Sequence, residues 1–206
     1  MRRYFFIPCM LLILFASCKH KENKEKDDCC KKEQTRDLTL SFDSTISLHD
    51  LPSVWTTQDK QQVKLSDFHK KATVMAMIFT NCQSACPRIT ADIQRVEAAI
   101  PADKRDDVSF VLVSMDPERD NPEQLKKFAE EHKLNLKNWT LLTGKQADVD
   151  DLAGVLNVRI SKQADGSFDH SNIIHLLNPN GNIVHQQIGL AVDPKETIQL
   201  INVLLK

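Results

Sequence analysis

Glycine is scarce in this chain, with 5 in 206 residues, and none stands in a GxGxxG or GxxxxGK arrangement. A loop that cradles phosphate needs glycine where the backbone turns tightly against the anion, so nucleotide binding through such a loop is disfavoured. An excess of positive charge is missing as well: 27 Lys and Arg stand against 28 Asp and Glu, a formal net charge of −1. That balance gives a nucleic-acid partner no electrostatic support, and none is expected. No apolar run approaches the ~20 residues that span a bilayer. Cysteine is thin, 6 in all, too few for a disulfide scaffold of this length. What is present is ordinary globular material, 41% hydrophobic and 27% charged, enough for one domain and a tail.

The tail comes first. Arg2 and Arg3 precede an almost wholly apolar run from Phe5 to Phe15, interrupted by Pro8 and Cys9 and followed by Ala16, Ser17 and Cys18. A basic start, a short apolar stretch and a small-residue stop make an export signal. Phe15-Ala16-Ser17-Cys18 resembles a bacterial lipobox, with Phe15 where Leu is usual, and the resemblance implies cleavage before Cys18 and lipidation of its sulfur. An ordinary signal peptide with a chance cysteine is the alternative. Residues 18–36 hold no Ile, Leu, Val or aromatic residue. They cannot bury enough apolar surface to order themselves and are expected to form a charged tether. The vicinal pair Cys29-Cys30 lies inside it and receives no role. The expected organisation is a signal peptide at 1–17, a tether at 18–36 and a domain at 37–206. The domain would be exported and held on a bacterial membrane by its lipid, facing the periplasm or the cell exterior.

Within the domain, apolar patterning alternates. After an extended lead-in (37–65), Thr73 to Phe79 is a continuous apolar run, as expected of a strand buried on both faces. Ile89, Ile93, Val96 and Ile100 form a helical stripe. Val108 to Met115 is a second buried strand. Pro122 to His132 is a helix with proline in its first turn, Trp139 to Leu142 a short strand, and 146–156 a helix. Ile173–Leu177 and Ile183–Ile188 are strands joined by Asn178-Pro179-Asn180-Gly181, a hairpin signal. Pro194 to Leu205 closes the chain as a helix. The order predicts an α/β domain with a mixed central sheet flanked by helices. Its layout is that of a thioredoxin-like fold with an extra strand–helix insertion.

Cys82 and Cys86 stand in Thr80-Asn81-Cys82-Gln83-Ser84-Ala85-Cys86-Pro87, between the first buried strand and the first long helix. Sites gather at the carboxyl ends of strands in open α/β sheets. A helix N-terminus favours thiolate over thiol, so a lowered cysteine pKa is expected there. Three chemistries remain open for the pair: a stabilising disulfide, a redox-active dithiol, and a grip on a soft metal. A redox-active thioredoxin pair has two intervening residues, and here there are three, which suits metal better. The Pro-x-x-x-Thr-x-x-Cys pattern of a peroxidase is absent. Among the histidines, His170 is set apart by its place in a polar loop, 165–172, just before the strand at 173. In a thioredoxin-like fold that loop passes the N-terminus of the first helix. His175 is expected to pack in or against the sheet.

Thr80–Pro87, Val113-Ser114-Met115-Asp116-Pro117-Glu118-Arg119-Asp120, Asp169-His170-Ser171 and Asn178–Gly181 together resemble the Sco/SenC family, in order and spacing, over residues 45–206. The resemblance implies a membrane-tethered, thioredoxin-like protein that binds copper, as Cu(I) or Cu(II), through Cys82, Cys86 and His170. It implies a role in assembling the dinuclear copper A centre of cytochrome c oxidase subunit II, with that subunit and a copper donor protein as partners. A thiol-disulfide oxidoreductase using Cys82 and Cys86 as its redox pair is the second expectation, and a copper-dependent redox sensor the third. Asp116–Asp120 matches a loop of the family; a helix-capping loop with a surface ion pair explains it equally well.

Overall fold

The computed structural model describes residues 46–68 and 72–206, all within the unit Leu38–Lys206. The signal peptide, the tether and Cys18 lie outside the described residues.

Among the described residues, nine strands and four α-helices follow in order: β1 (Trp55–Thr57), β2 (Gln62–Val63), β3 (Ala72–Ile78), α1 (Ala85–Ala99), β4 (Val108–Ser114), α2 (Pro122–Glu131), β5 (Trp139–Thr143), α3 (Gln146–Leu156), β6 (Ile160–Lys162), β7 (Phe168–His170), β8 (Ile173–Leu177), β9 (Ile183–Ile188) and α4 (Lys195–Leu204). Seven strands make one sheet in the order β2-β1-β5-β4-β3-β8-β9, and β6 and β7 pair separately. β3, β4 and β5 run parallel, whereas β8, β9, β1 and β2 join antiparallel. The expected mixed sheet is therefore present. The lead-in at 37–65 departs from a plain extended segment, because β1 and β2 form a small edge ribbon on β5 within it.

Position in the sheet explains the patterning. β3 lies between β4 and β8, and all seven of its residues are buried, so no polar alternation is needed. β8 and β9 show which face each helix covers. His175 and Gln186 are cross-strand partners and both reach the Leu156 carbonyl at the end of α3. The neighbouring pair, Ile174 and Gln187, points the other way. There Gln187 Oε1 accepts from Thr197 of α4 at 3.0 Å. α3 and α4 thus flank opposite faces, and α1 packs against α4. Phe110 stacks on its cross-strand neighbour Trp139 with centroids 5.1 Å apart, and the Trp139 indole donates to Glu97 of α1.

Local signals set the boundaries. The Asn121 side chain caps α2 by accepting from the Gln124 amide, with Pro122 in the first turn. Asn178 Oδ1 accepts from the amides of Asn180 and Asn182, and Gly181 takes a φ of +79° to close the β8–β9 hairpin.

Candidate metal centre

β3 ends at Ile78, and the chain crosses its carboxyl edge through Phe79–Ser84 before α1 begins. Ser84, the residue ahead of α1, makes no side-chain cap. The Cys82 sulfur takes that place, accepting from the Cys86 amide at 3.2 Å. A helix start leaves its first amides without partners and carries a partial positive charge, so a sulfur here is held where a thiolate is favoured. Burial opposes the Cys82 thiolate, but donation from the Cys86, Ser84 and Ala85 amides outweighs it, and its pKa lies below the ordinary thiol value. Cys86 differs. Its side chain is fully buried, and that burial drives its pKa far upward despite the Phe79 amide that donates to its sulfur at 3.4 Å. The expectation of a lowered thiol pKa at this helix start therefore holds for Cys82 and fails for Cys86, because desolvation outweighs the helix terminus there. Both cysteines are free thiols.

His170 comes from a separate piece of chain, 84 residues on, and its Nε2 lies 4.0 Å from Cys86 Sγ. Nδ1 contacts the Ser171 carbonyl at 3.1 Å. A carbonyl only accepts, so Nδ1 is the donor in that contact, and Nε2 is the ring nitrogen that faces the sulfur. The stretch 165–172 is not a plain loop. Phe168–His170 is strand β7, paired with β6 through Phe168–Lys162, Asp169–Ser161 and His170–Ile160. Phe168 and His170, two apart on a strand, both meet Phe79: Phe168 with centroids at 5.1 Å, His170 edge-on at 6.1 Å. An open cleft of about 500 Å³, lined by Cys82, Ser84, Phe168 and His170 among others, lies between α1's start and the hairpin.

The Asp116–Asp120 segment supports this edge from below. Asp120 is buried and accepts from the Thr80 amide, the Thr80 hydroxyl and the Ser114 hydroxyl. Burial holds its carboxyl above the usual range in spite of those donors. Asp116 is 1% exposed and pairs with the exposed Arg119, Glu118 of the same loop makes a surface ion pair with Lys162, and the cap of α2 is Asn121, the next residue. Thr80, Arg119 and Asp120 lie in the family-like segments without a role that local sequence assigns, and Phe168 lies just outside them. The Phe-x-His spacing in 168–170 is the signal that points to Phe168, since residues two apart share one side of a strand.

The donor set is chemically soft: two sulfurs and one imidazole, suited to Cu(I), Cu(II) or zinc. An ion bonded at ~2.0–2.3 Å to both a nitrogen and a sulfur holds them roughly 3.5–3.8 Å apart, and the Cys86–His170 separation of 4.0 Å is close to that. Among the described residues, no three His, Cys, Asp or Glu side chains stand together closely enough, as they lie, to hold a metal at once. Side chains must therefore move before all three donors meet one ion.

The class is thus defined: a thioredoxin-like α/β protein with two free cysteines at the start of the helix after β3, facing an imidazole from a small hairpin. The SCO1/SenC family model matches residues 51–206, and the chain belongs to that family. A SCO1 protein homolog of Bacillus subtilis is 31% identical over 150 residues, covering 71% of this chain and 77% of its own. Among solved structures, a SCO1/SenC family lipoprotein from Bacillus anthracis matches with a TM-score of 0.70 and 29% identity, over 77% of this chain and 96% of its own. BsSco, described with a disulfide switch and as a member of the Sco family of cytochrome c oxidase assembly proteins, matches at 0.67 and 29%, over 78% and 95%. Bradyrhizobium japonicum ScoI with copper bound matches at 0.63 and 24%, over 74% and 96%, which speaks to the fold alone.

Proposed function

We propose that this chain is a lipid-anchored copper metallochaperone. It takes copper from a donor protein and delivers it to, or prepares, the dinuclear copper A centre of cytochrome c oxidase subunit II. Cys82, Cys86 and His170 hold the cargo. The observation that carries this reading is the 4.0 Å approach of His170 Nε2 to Cys86 Sγ across 84 residues of chain. Family membership supports copper as the cargo and oxidase assembly as the setting. Lipidation at Cys18 draws support from the lipobox-like 15–18 and from the Bacillus anthracis lipoprotein of the family. Among the described residues no helix is long and apolar enough to cross a membrane.

The cargo must be held and then released. Thiolate sulfur retains Cu(I), and imidazole adds a nitrogen that suits Cu(II). The site opens onto a cleft, so a partner's ligands can enter and exchange. The test is copper titration of wild type and His170→Ala with thiols counted in parallel. Wild type binds one copper per chain. His170→Ala loses Cu(II) affinity on the order of 100-fold, ~2.7 kcal/mol, with both thiols still titratable. Unchanged stoichiometry, affinity and spectrum in the variant would remove His170 from the site.

One observation favours a second activity. Cys82 is partly exposed with a lowered pKa, whereas Cys86 is buried with a raised one. That is the division of labour of an attacking thiolate and a resolving thiol. Cys82 attacks a disulfide of the partner, giving a mixed disulfide and releasing one partner thiolate. Cys86, losing its proton, displaces the second partner thiolate, and the Cys82–Cys86 disulfide retains the oxidation. Metal-free reduced protein is then expected to reduce an oxidised copper A domain stoichiometrically, and Cys82→Ser to abolish this. No thiol release from that domain eliminates the reductase.

A further inference from the structure

The β6–β7 hairpin carries His170 on three residue pairs and is largely exposed. Arg119, in the turn between β4 and α2, fastens it to the body of the domain. Arg119 Nε donates to Asp116 Oδ2, and Nη2 donates to the carbonyl of Gly166 in the β6–β7 turn. Asp116 is itself buried, so one end of this clamp stands in the core. The guanidinium carbon lies 5.8 Å from the centre of the Phe168 ring. That ring rests on Phe79, as does His170 two residues on. A second tie between the same segments, Lys162 to Glu118 at 2.7 Å, joins two exposed side chains. It is screened by solvent and reaches no buried anchor.

We infer that Arg119 is a positioning residue for the copper site: it holds β7 against the end of β3 and so keeps His170 Nε2 within reach of Cys86 Sγ. A planar guanidinium donates in two directions while lying over an aromatic face. A lysine ammonium can lie over the same ring, as Lys162 Nζ does at 5.9 Å, but as a point charge on a flexible stem it cannot keep both donations. The inference rests on the reading of His170 as a copper ligand, and its test separates the two.

Cu(II) is titrated into full-length wild type, Arg119→Lys, His170→Ala and the double variant. Arg119→Lys weakens Cu(II) about tenfold, as losing an outer partner of a metal ligand does. Its Cu(I) affinity stays within about twofold, because two sulfurs suffice for that ion. In the His170→Ala background the Arg119 substitution changes nothing further. An equal loss in both backgrounds, or no loss in Arg119→Lys alone, overturns the inference. If His170→Ala alone leaves Cu(II) affinity intact, the ligand reading has failed, and a metal-free measurement decides the positioning claim. Ring-proton resonances of His170, displaced by the Phe79 ring, then move toward exposed-histidine values in Arg119→Lys; unmoved resonances overturn it. Arg119→Gln replaces the lysine variant under the same expectations should thermal unfolding show that variant not to be folded.

Discussion

The two halves of the site are built of unlike material. The dithiol half hangs from β3, whose every residue is buried and which is paired on both sides over most of its length. Thr80 is bolted to Asp120 by its amide and its hydroxyl, and the Cys82 sulfur is itself part of the start of α1. The imidazole half sits on a strand of three residues with burial running intermediate, exposed, intermediate, in a two-stranded ribbon outside the main sheet. Such ribbons open at low cost, whereas core strands open only with global unfolding. On the proposed carrier function, that inequality would let the two sulfurs hold the cargo while the third ligand advances on it or withdraws as a partner's ligands arrive.

The contrast breaks if the two halves cost the same to damage. Phe110 is fully buried on β4 against Trp139, and Phe110→Ala is expected to lose about 3–5 kcal/mol of global stability by denaturant unfolding. Phe168 is half-buried on the hairpin, and Phe168→Ala is expected to cost about 1 kcal/mol or less globally. Its effect appears locally instead, as faster amide exchange through 160–170 with β3 and β4 unchanged. Equal global losses from the two variants would mean that the hairpin belongs to the cooperative core and that the imidazole half is as fixed as the dithiol.

The same inequality governs what could be read from sequence. β3 and β4 are legible because burial on two faces demands unbroken apolar runs, and the β8–β9 turn because Asn178–Gly181 allows few backbone paths. Cys82 and Cys86 are legible because a spacing of four at a strand–helix junction has few uses, and His170 through its neighbours in family-like order. β6 and β7 are not: three residues apiece, none of them buried, carry too little pattern, and Asp165–Ser167 reads as loop whether or not strands flank it. Arg119 and Asp116 are hidden differently. An Asp-x-x-Arg pair in a turn looks like a solvated ion pair, and the burial of Asp116 depends on the packing of the whole sheet. The unequal pKa values of the cysteines are likewise beyond local sequence, since the helix start acts on both and desolvation of Cys86 follows from tertiary packing alone.

Acid sharpens the comparison with a smaller effect. His175 is fully buried on β8, and its pKa is lowered to about 4 by burial, against the bond to the Leu156 carbonyl that acts the other way. In the unfolded chain it titrates near the ordinary ~6.5. Between these values the unfolded state binds the extra proton, so stability is full above ~6.5, falls as pH drops, and stops falling on this account below the folded value. A drop of about 2 kcal/mol between pH 7 and pH 5 is expected from this one group. His175→Leu should flatten that part of the profile, since the Leu156 carbonyl retains its bond from Gln186. Once corrected for the pH dependence of intrinsic exchange, amides of β3 and β8 lose protection at pH 5 in step with global stability, because they open only when the sheet does. Hairpin amides at 160–163 and 168–170 do not, because their opening never exposes His175. If both sets lose protection in parallel, the ribbon opens only with the sheet, and an imidazole that moves on its own while the sulfurs stay put is no longer tenable.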